Sequence, residues 1–168
     1  MLGVDFEAVI PDVEELREGE PAAVVVENAL RKARAGAELA PGGEPVLGVD
    51  TDVALDGALL GKPIDRDGAE TRLRALSGRR HEVLSGLALI AGGGKLTEVA
   101  RTTVSFRELT DSEVGAYLDS GEWSDRAGGY SVQGLGSSLV ALIDGDLSNV
   151  IGLPIPTLSG MIARLQDR

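Results

Sequence analysis

Residues 46–63, V-L-G-V-D-T-D-V-A-L-D-G-A-L-L-G-K-P, constrain the fold more than any other stretch, because an apolar run meets an acid at Asp50 and a lysine follows one hairpin later. Val46, Leu47 and Val49 suit a strand interior, Val53 to Leu55 continues it, and Asp56-Gly57 is a hairpin turn signal. Leu59-Leu60 starts a return that ends at Gly61-Lys62-Pro63. A buried strand of this kind delivers a carboxylate to a cleft, and the hairpin carries Lys62 to a common rim. Taken alone the stretch leaves two readings open: Asp50 and Lys62 are an acid and a base of one site, or Asp50 caps a strand and Lys62 is a solvated turn residue.

The rest of the chain supplies elements to pack against that strand. The opening V-D-F-E-A-V-I-P alternates Val4, Phe6 and Ala8 with polar residues and breaks at Pro11, the pattern of a strand entering an acidic loop. From Pro21 to about Leu39 the composition predicts a helix, with proline in its first turn and Pro41-Gly42-Gly43 after its end. Val25, Asn28, Ala29, Lys32 and Ala33 fall on neighbouring helical faces. Lys32 therefore either snorkels from a small apolar stripe to solvent or sits in a site. A second helix is expected over Asp65 to Leu76, stopped by Ser77-Gly78. V-L-S-G-L-A-L-I-A and T-E-V-A-R-T-T-V-S-F-R, joined through Gly92-Gly93-Gly94, read as an antiparallel hairpin. Thr110 begins a third helix that runs to about Leu118 and stops near Gly121. W-S-D-R-A-G-G-Y-S-V-Q-G-L-G is a structured, glycine-dense loop without the lysine or helix of a phosphate cradle, and Arg126 and Gln133 are its candidate contacts. Leu139 to Ile143 reads as a strand, and Ser148 to Pro154 as a tight connection into a terminal helix from about Thr157.

Composition narrows the chemistry. The 168 residues suffice for one domain with a sizeable core. Twenty-seven acids against 16 bases give a formal charge of −11, which repels a polyanionic backbone and argues against a nucleic-acid polymer as partner. A small phosphorylated ligand would need scattered cations such as Lys32, Lys62, Arg79, Arg80 and Arg126 gathered in one cleft, or a divalent metal on carboxylates. The absence of cysteine removes thiol nucleophiles, thiolate metal sites and disulfides. No apolar run approaches the about 18 residues of a spanning helix, and the N-terminus lacks a signal-peptide pattern, so no membrane partner and a cytosolic location are the expectations. The only histidine, His81, has no second histidine or elbow serine to work with and reads as structural or substrate-adjacent.

The motifs in order resemble the Maf family of nucleotide pyrophosphatases, relatives in fold of the inosine-triphosphate pyrophosphatases. They are K-A at Lys32-Ala33, G-V-D-T at 48–51, G-K-P at 61–63, S-G-R-R-H-E-V-L-S-G at 77–86, D-R-A-G-G-Y-S-V-Q-G at 125–134 and S-N-V-I-G-L-P at 148–154. The resemblance implies a mixed α/β fold with a partly antiparallel central sheet, flanking helices, and two lobes about a cleft. It also implies hydrolysis of a nucleoside triphosphate to the monophosphate and pyrophosphate with a divalent cation, Mg2+ or Mn2+. Carried over, Asp50 is the general base, Lys32 and Lys62 contact phosphates, Gln133 lies near the base or the catalytic water, and Glu14-Glu15 help Asp50 hold the metal. Thr51 and Gln133 resemble the dTTP/UTP branch rather than the branch acting on 7-methyl-GTP. A homodimer and a role in septum formation are further implications.

Two departures from the family pattern stand out. The family opens with a strand and an S-x-S-P-R-R segment whose serine and arginines grip the triphosphate. The present sequence starts about twenty residues too late to contain it, by the usual length of a strand plus a helix start. Met1-Leu2-Gly3 matches the end of that segment's helix: either the true start lies upstream of an internal methionine, or the chain has lost those cations, and a weakly active or inactive nucleotide-binding or cell-division regulator is then the alternative to an enzyme. Asp52 stands where the family has an apolar residue. Two positions from Asp50 on one strand face, it either raises the Asp50 pKa by like-charge repulsion or joins the metal site.

Overall fold

The computed structural model describes residues 5–40 and 42–166. Met1-Leu2-Gly3, Val4 and Pro41, each invoked above, lie outside the described residues. Helix α1 (Pro21–Leu39) starts where proline fits the first turn, with the Glu20 side chain accepting from the Ala23 N–H. Strands β1 (Val46–Leu55) and β2 (Ala58–Leu59) form the first hairpin, turned by Asp56 and Gly57, both with positive φ. Helix α2 (Arg66–Leu76), capped by Asp65, leads to the long strands β3 (Arg80–Ala91) and β4 (Gly94–Phe106). Helix α3 (Asp111–Ser120) opens on a capping box between Thr110 and Glu113 and closes on left-handed Gly121. Strand β5 (Val140–Asp144), a short helix α4 (Leu147–Ile151) and helix α5 (Ile155–Gln166) complete the chain.

The sheet order is β2-β1-β3-β4-β5, and every pairing is antiparallel. The expected partly antiparallel sheet is, among the described residues, wholly so. Alternation along β1 and β3 gives the sheet two distinct faces. One carries Gly48, Asp50, Asp52 and Ala54 with Leu84, Gly86 and Ala88 beneath α1. Asp50 pairs with Gly86, and a side chain at Gly48 or Gly86 would collide with α1 main-chain atoms of Ala29 or Val25. These two glycines and the small residues Ala29 and Ala33 therefore let the helix lie close on the strands.

The opposite face holds two separate apolar cores. Leu87, Leu89, Leu158 and Met161 pack α5 on one end of the β3–β4 hairpin. Val53, Leu73, Leu76, Val83, Val104, Phe106, Tyr117 and Tyr130 pack α2, α3 and the glycine-rich loop on the other. Between these cores run the buried polar side chains Ser85 and Thr102 together with Asn149, whose amide donates to the Val83 carbonyl at 3.0 Å and to the Thr102 hydroxyl at 2.9 Å.

Three expectations need correction. Residues 5–18 form neither helix nor strand, and Phe6 and Ile10 are 87% and 98% exposed, so their alternation has no sheet neighbour to bury it. The segment instead runs along α1. The return strand β2 stops at Leu59 because the Asp52 carboxylate takes the Gly61 N–H at 3.1 Å, a side chain substituting for the ladder, and Pro63 has no N–H to offer. The connection after Ser148 is itself helical, since Asp146 caps α4 through the Ser148 N–H at 2.8 Å.

Candidate active site

The site grows from the register just described. Asp50 points at α1, and Asn28 and Lys32, one turn apart on that helix, both reach its carboxylate. Lys32 Nζ lies 2.6 Å from Asp50 Oδ1, and Asn28 Nδ2 donates to Asp50 Oδ2 at 3.0 Å. The same ammonium is 2.6 Å from Glu15 Oε1. The side chains of Asp50 and Lys32 are 11% and 24% exposed, so the pair is shielded but open on one side. Burial pulls the Lys32 ammonium down, and the bonds to Asp50 and Glu15 more than offset it, leaving the group above the ordinary lysine value. A protonated lysine thus bridges two carboxylates, one from the sheet and one from the irregular segment.

Asp52 takes main-chain partners. Its Oδ1 accepts from the Val53 N–H at 2.7 Å and from the Gly61 N–H at 3.1 Å, which sets the course of Gly61-Lys62. Burial, with the Asp50 charge adding to it, holds Asp52 itself above the usual carboxylate range against those two bonds. Both of these bonds are to main chain.

Among the described residues, no hydrogen bond links the remaining predicted residues to the Asp50 side chain, whose partners are Asn28 and Lys32. Lys62 pairs with Asp125 at 2.6 Å on the surface, and the Lys62 ammonium holds Asp125 below the usual carboxylate range. The Gly128 N–H donates to the Gly61 carbonyl at 2.9 Å, so the glycine-rich loop is docked on the G-K-P turn. Gln133 is exposed and lines a cavity of about 190 Å3 with Glu122, Arg126, Ser131 and Gly134. Thr51 faces away from Asp50, as its neighbouring position in a strand requires, and its hydroxyl meets Ser85 Oγ at 2.7 Å and the Gly152 carbonyl at 3.3 Å. Glu14 meets α1 through its carbonyl, which accepts from Arg31 at 2.8 Å. Arg79, among the cations considered for phosphate, is held by Asp56 in the hairpin turn at 2.7 Å.

His81 belongs to the core. It is buried, its Nε2 lies 2.7 Å from the Tyr130 hydroxyl, and its ring meets those of Phe106 and Tyr130 edge to face. Burial pulls it down to about 4, so it is neutral at neutral pH. The residue that sequence reasoning passed over is Asn28, noted above only as part of a stripe. Its signal was a buried amide one turn before a lysine in an otherwise small, apolar run, where an unbonded polar group would be costly.

Glu15 and Asp50 are hard oxygen donors that already converge on one cation, the Lys32 ammonium. No group of three or more histidines or acids among the described residues is spaced to hold a metal ion. Two carboxylates fit an ion that takes its other ligands from water and phosphate oxygens, as Mg2+ does.

Comparison with known proteins places the chain by family. The family described as "Maf-like protein" matches residues 1–165. A protein of Symbiobacterium thermophilum named dTTP/UTP pyrophosphatase is 44% identical over 156 residues, covering 92% of this chain and 80% of the relative. Proteins of the same name from Escherichia coli O157:H7 and Shewanella denitrificans are 43% and 40% identical, covering 92% and 97% of this chain and 79% and 84% of their own lengths. A family match that runs over residues 1–165 makes the chain a member of the Maf family.

Proposed function

We propose that this chain hydrolyses dTTP and UTP between the α and β phosphates, releasing the nucleoside monophosphate and pyrophosphate. The observation that carries the reading is the Glu15–Lys32–Asp50 bridge at the strand–helix contact. The names of relatives above 40% identity supply the nucleotides.

Asp50 is positioned as the base. Its carboxylate is fixed by an amide and an ammonium, and each oxygen keeps a further lone pair for a water proton. The water oxygen bonds to phosphorus, the anhydride P–O bond breaks, and the proton passes to Asp50. Lys32 supports a polyphosphate by exchanging one acidic partner for a phosphate oxygen, which keeps its charge compensated throughout. Lys62, at the mouth of the G-K-P turn, reaches phosphate by leaving Asp125. Gln133 faces the base end, beside Arg126 in the same cavity. Thr51 acts through the strand, holding β1 to Ser85 and Gly152. Glu15 and Asp50, with Glu14 beside them, would hold Mg2+ or Mn2+, which offsets phosphate charge and makes water easier to deprotonate.

In this reading the protein works as a homodimer in the cytoplasm. No described helix is long and apolar enough to cross a membrane. The deciding assay is pyrophosphate release from dTTP and UTP with Mg2+ or Mn2+, set beside the Asp50→Asn variant. Release that Asp50→Asn lowers by about a hundred- to ten-thousand-fold fits a lost general base. A purified chain that releases none, or a variant as fast as the parent, ends the reading.

A further inference from the structure

We propose that Asn28 is the positioning residue that sets the two halves of the site against each other. The proposal rests on the function proposed above only for its kinetic arm. Asn28 is 3% exposed in the interior of α1, a place where an unbonded amide is costly. It spends its full donor capacity there. Oδ1 accepts from the Leu16 N–H at 2.7 Å, while Nδ2 donates to the Leu16 carbonyl at 3.0 Å and to Asp50 Oδ2 at 3.0 Å. Only one orientation of the amide satisfies these three partners, since Leu16 presents one donor and one acceptor and the carboxylate requires a donor.

The consequence follows from where Leu16 sits. Residues 5–18 have no helix or strand to fix their register. Asn28 gives Leu16 both of the bonds that a neighbouring strand would give, and Leu16 adjoins Glu15, whose carboxylate reaches Lys32. Among the described residues, the other polar ties between this stretch and α1 are the Lys32–Glu15 pair and the Arg31 bond to the Glu14 carbonyl. One side chain therefore fixes the main chain beside Glu15 and the carboxylate of Asp50 at once. Lys32 then closes the bridge between acids that Asn28 has already aligned.

The test uses the full chain with Asn28→Ala and Asn28→Asp. Alanine removes all three bonds. Aspartate keeps an acceptor for the Leu16 N–H but has no hydrogen for the Leu16 carbonyl or for Asp50. Hydrogen exchange of the Leu16 amide is expected to be slow in the parent, fast in Asn28→Ala, and intermediate in Asn28→Asp. For dTTP, kcat is expected to fall about 10- to 100-fold in both variants, the usual cost of losing a group that orients a functional side chain. KM moves less, and far-UV circular dichroism is unchanged. A role confined to docking the segment would lower kcat in Asn28→Ala and spare it in Asn28→Asp.

Parent-like exchange of the Leu16 amide in Asn28→Ala overturns the proposal, whether or not dTTP is cleaved. So does a kcat within twofold of the parent in Asn28→Asp. An inactive parent instead ends the functional reading, and the exchange arm still decides whether Asn28 holds the segment. Should Asn28→Ala not fold, Asn28→Asp carries both measurements.

Discussion

Lys32 Nζ stands 2.6 Å from Asp50 Oδ1 and 2.6 Å from Glu15 Oε1, so one ammonium answers two carboxylates that come from unrelated parts of the chain. Lys32→Met leaves those acids facing each other without a counter-ion. The expected loss is about 1–3 kcal/mol in urea unfolding, the range for hydrogen bonds to charged groups in a partly shielded place. Because the ammonium titrates above the ordinary lysine value, its contribution is whole below about pH 10 and drains away as the pH rises through the raised value. The gap between parent and variant is therefore constant through neutral pH and closes in alkali. A variant as stable as the parent at pH 7 would show that the bridge contributes nothing to the fold.

Gly86 pairs with Asp50 across the sheet and lies under the α1 main chain at Val25. Gly86→Ala puts a methyl into that contact and pushes the helix outward, at an expected cost of about 1–3 kcal/mol for an overpacked core. The displacement also carries Asn28 and Lys32 away from Asp50, so kcat drops by more than the Tm change implies. Gly115→Ala serves as the control, since a side chain there meets open space inside α3: kcat should hold and Tm should rise slightly, from alanine's better helix propensity.

His81 provides a pH signature that belongs to the fold. An unfolded histidine titrates near 6.5, as a reference value, whereas burial holds His81 at about 4. Between those values the unfolded chain binds the proton and the native one does not, so stability rises with pH through that window. The full cost, reached below about pH 4, is roughly 3 kcal/mol, and above about 6.5 the residue contributes none. His81→Gln should remove this part of the acid limb in urea unfolding at several pH values. Parallel limbs in parent and variant would mean that the buried imidazole is protonated in the native state.

What the sequence made legible follows from which interactions are local. Helix α1, the Asp56-Gly57 hairpin, and the Gly121 stop of α3 are written in caps, turn residues and periodicity within a few positions. Asp50 and Lys32 were also legible, because a strand period and a helix period each aim one face. The opening segment was misread because its alternation is a local signal, while burial depends on a neighbour that only the tertiary arrangement provides. Asn28 was passed over for a related reason: its partners Leu16 and Asp50 are 12 and 22 positions away, and an asparagine in a helix carries no local mark of which it will find. Lys62 is placed by its hairpin and its motif, and neither says anything of Asp125, which is 63 positions away.

Asp52 is held above the usual carboxylate range, with burial the first cause. Its ionised form is thus penalised by the fold. The favourable contribution is present below the unfolded value near 3.9 and is lost as pH rises through the raised one. Asp52→Asn keeps an oxygen for the Val53 and Gly61 N–H groups and drops the charge. The variant should be more stable than the parent at pH 7, with the difference closing in acid, and its Mn2+ requirement should be unchanged. A variant that needs far more Mn2+ would place Asp52 among the metal ligands after all.

Asp125 holds the Lys62 ammonium in an ion pair. The pair lies on the surface, where an ion pair contributes about 0–1 kcal/mol and is screened by salt. Asp125 also has φ 57, a left-handed conformation that asparagine tolerates about as well as aspartate. Asp125→Asn therefore removes the charge without straining the turn, and Tm should move little. If Lys62 serves the phosphates, freeing it lowers KM for dTTP while kcat holds, and the difference narrows at high ionic strength as the parent's ion pair weakens. A rise in KM would instead mean that Asp125 holds Lys62 in the position it needs, making the pair part of the site rather than a catch upon it.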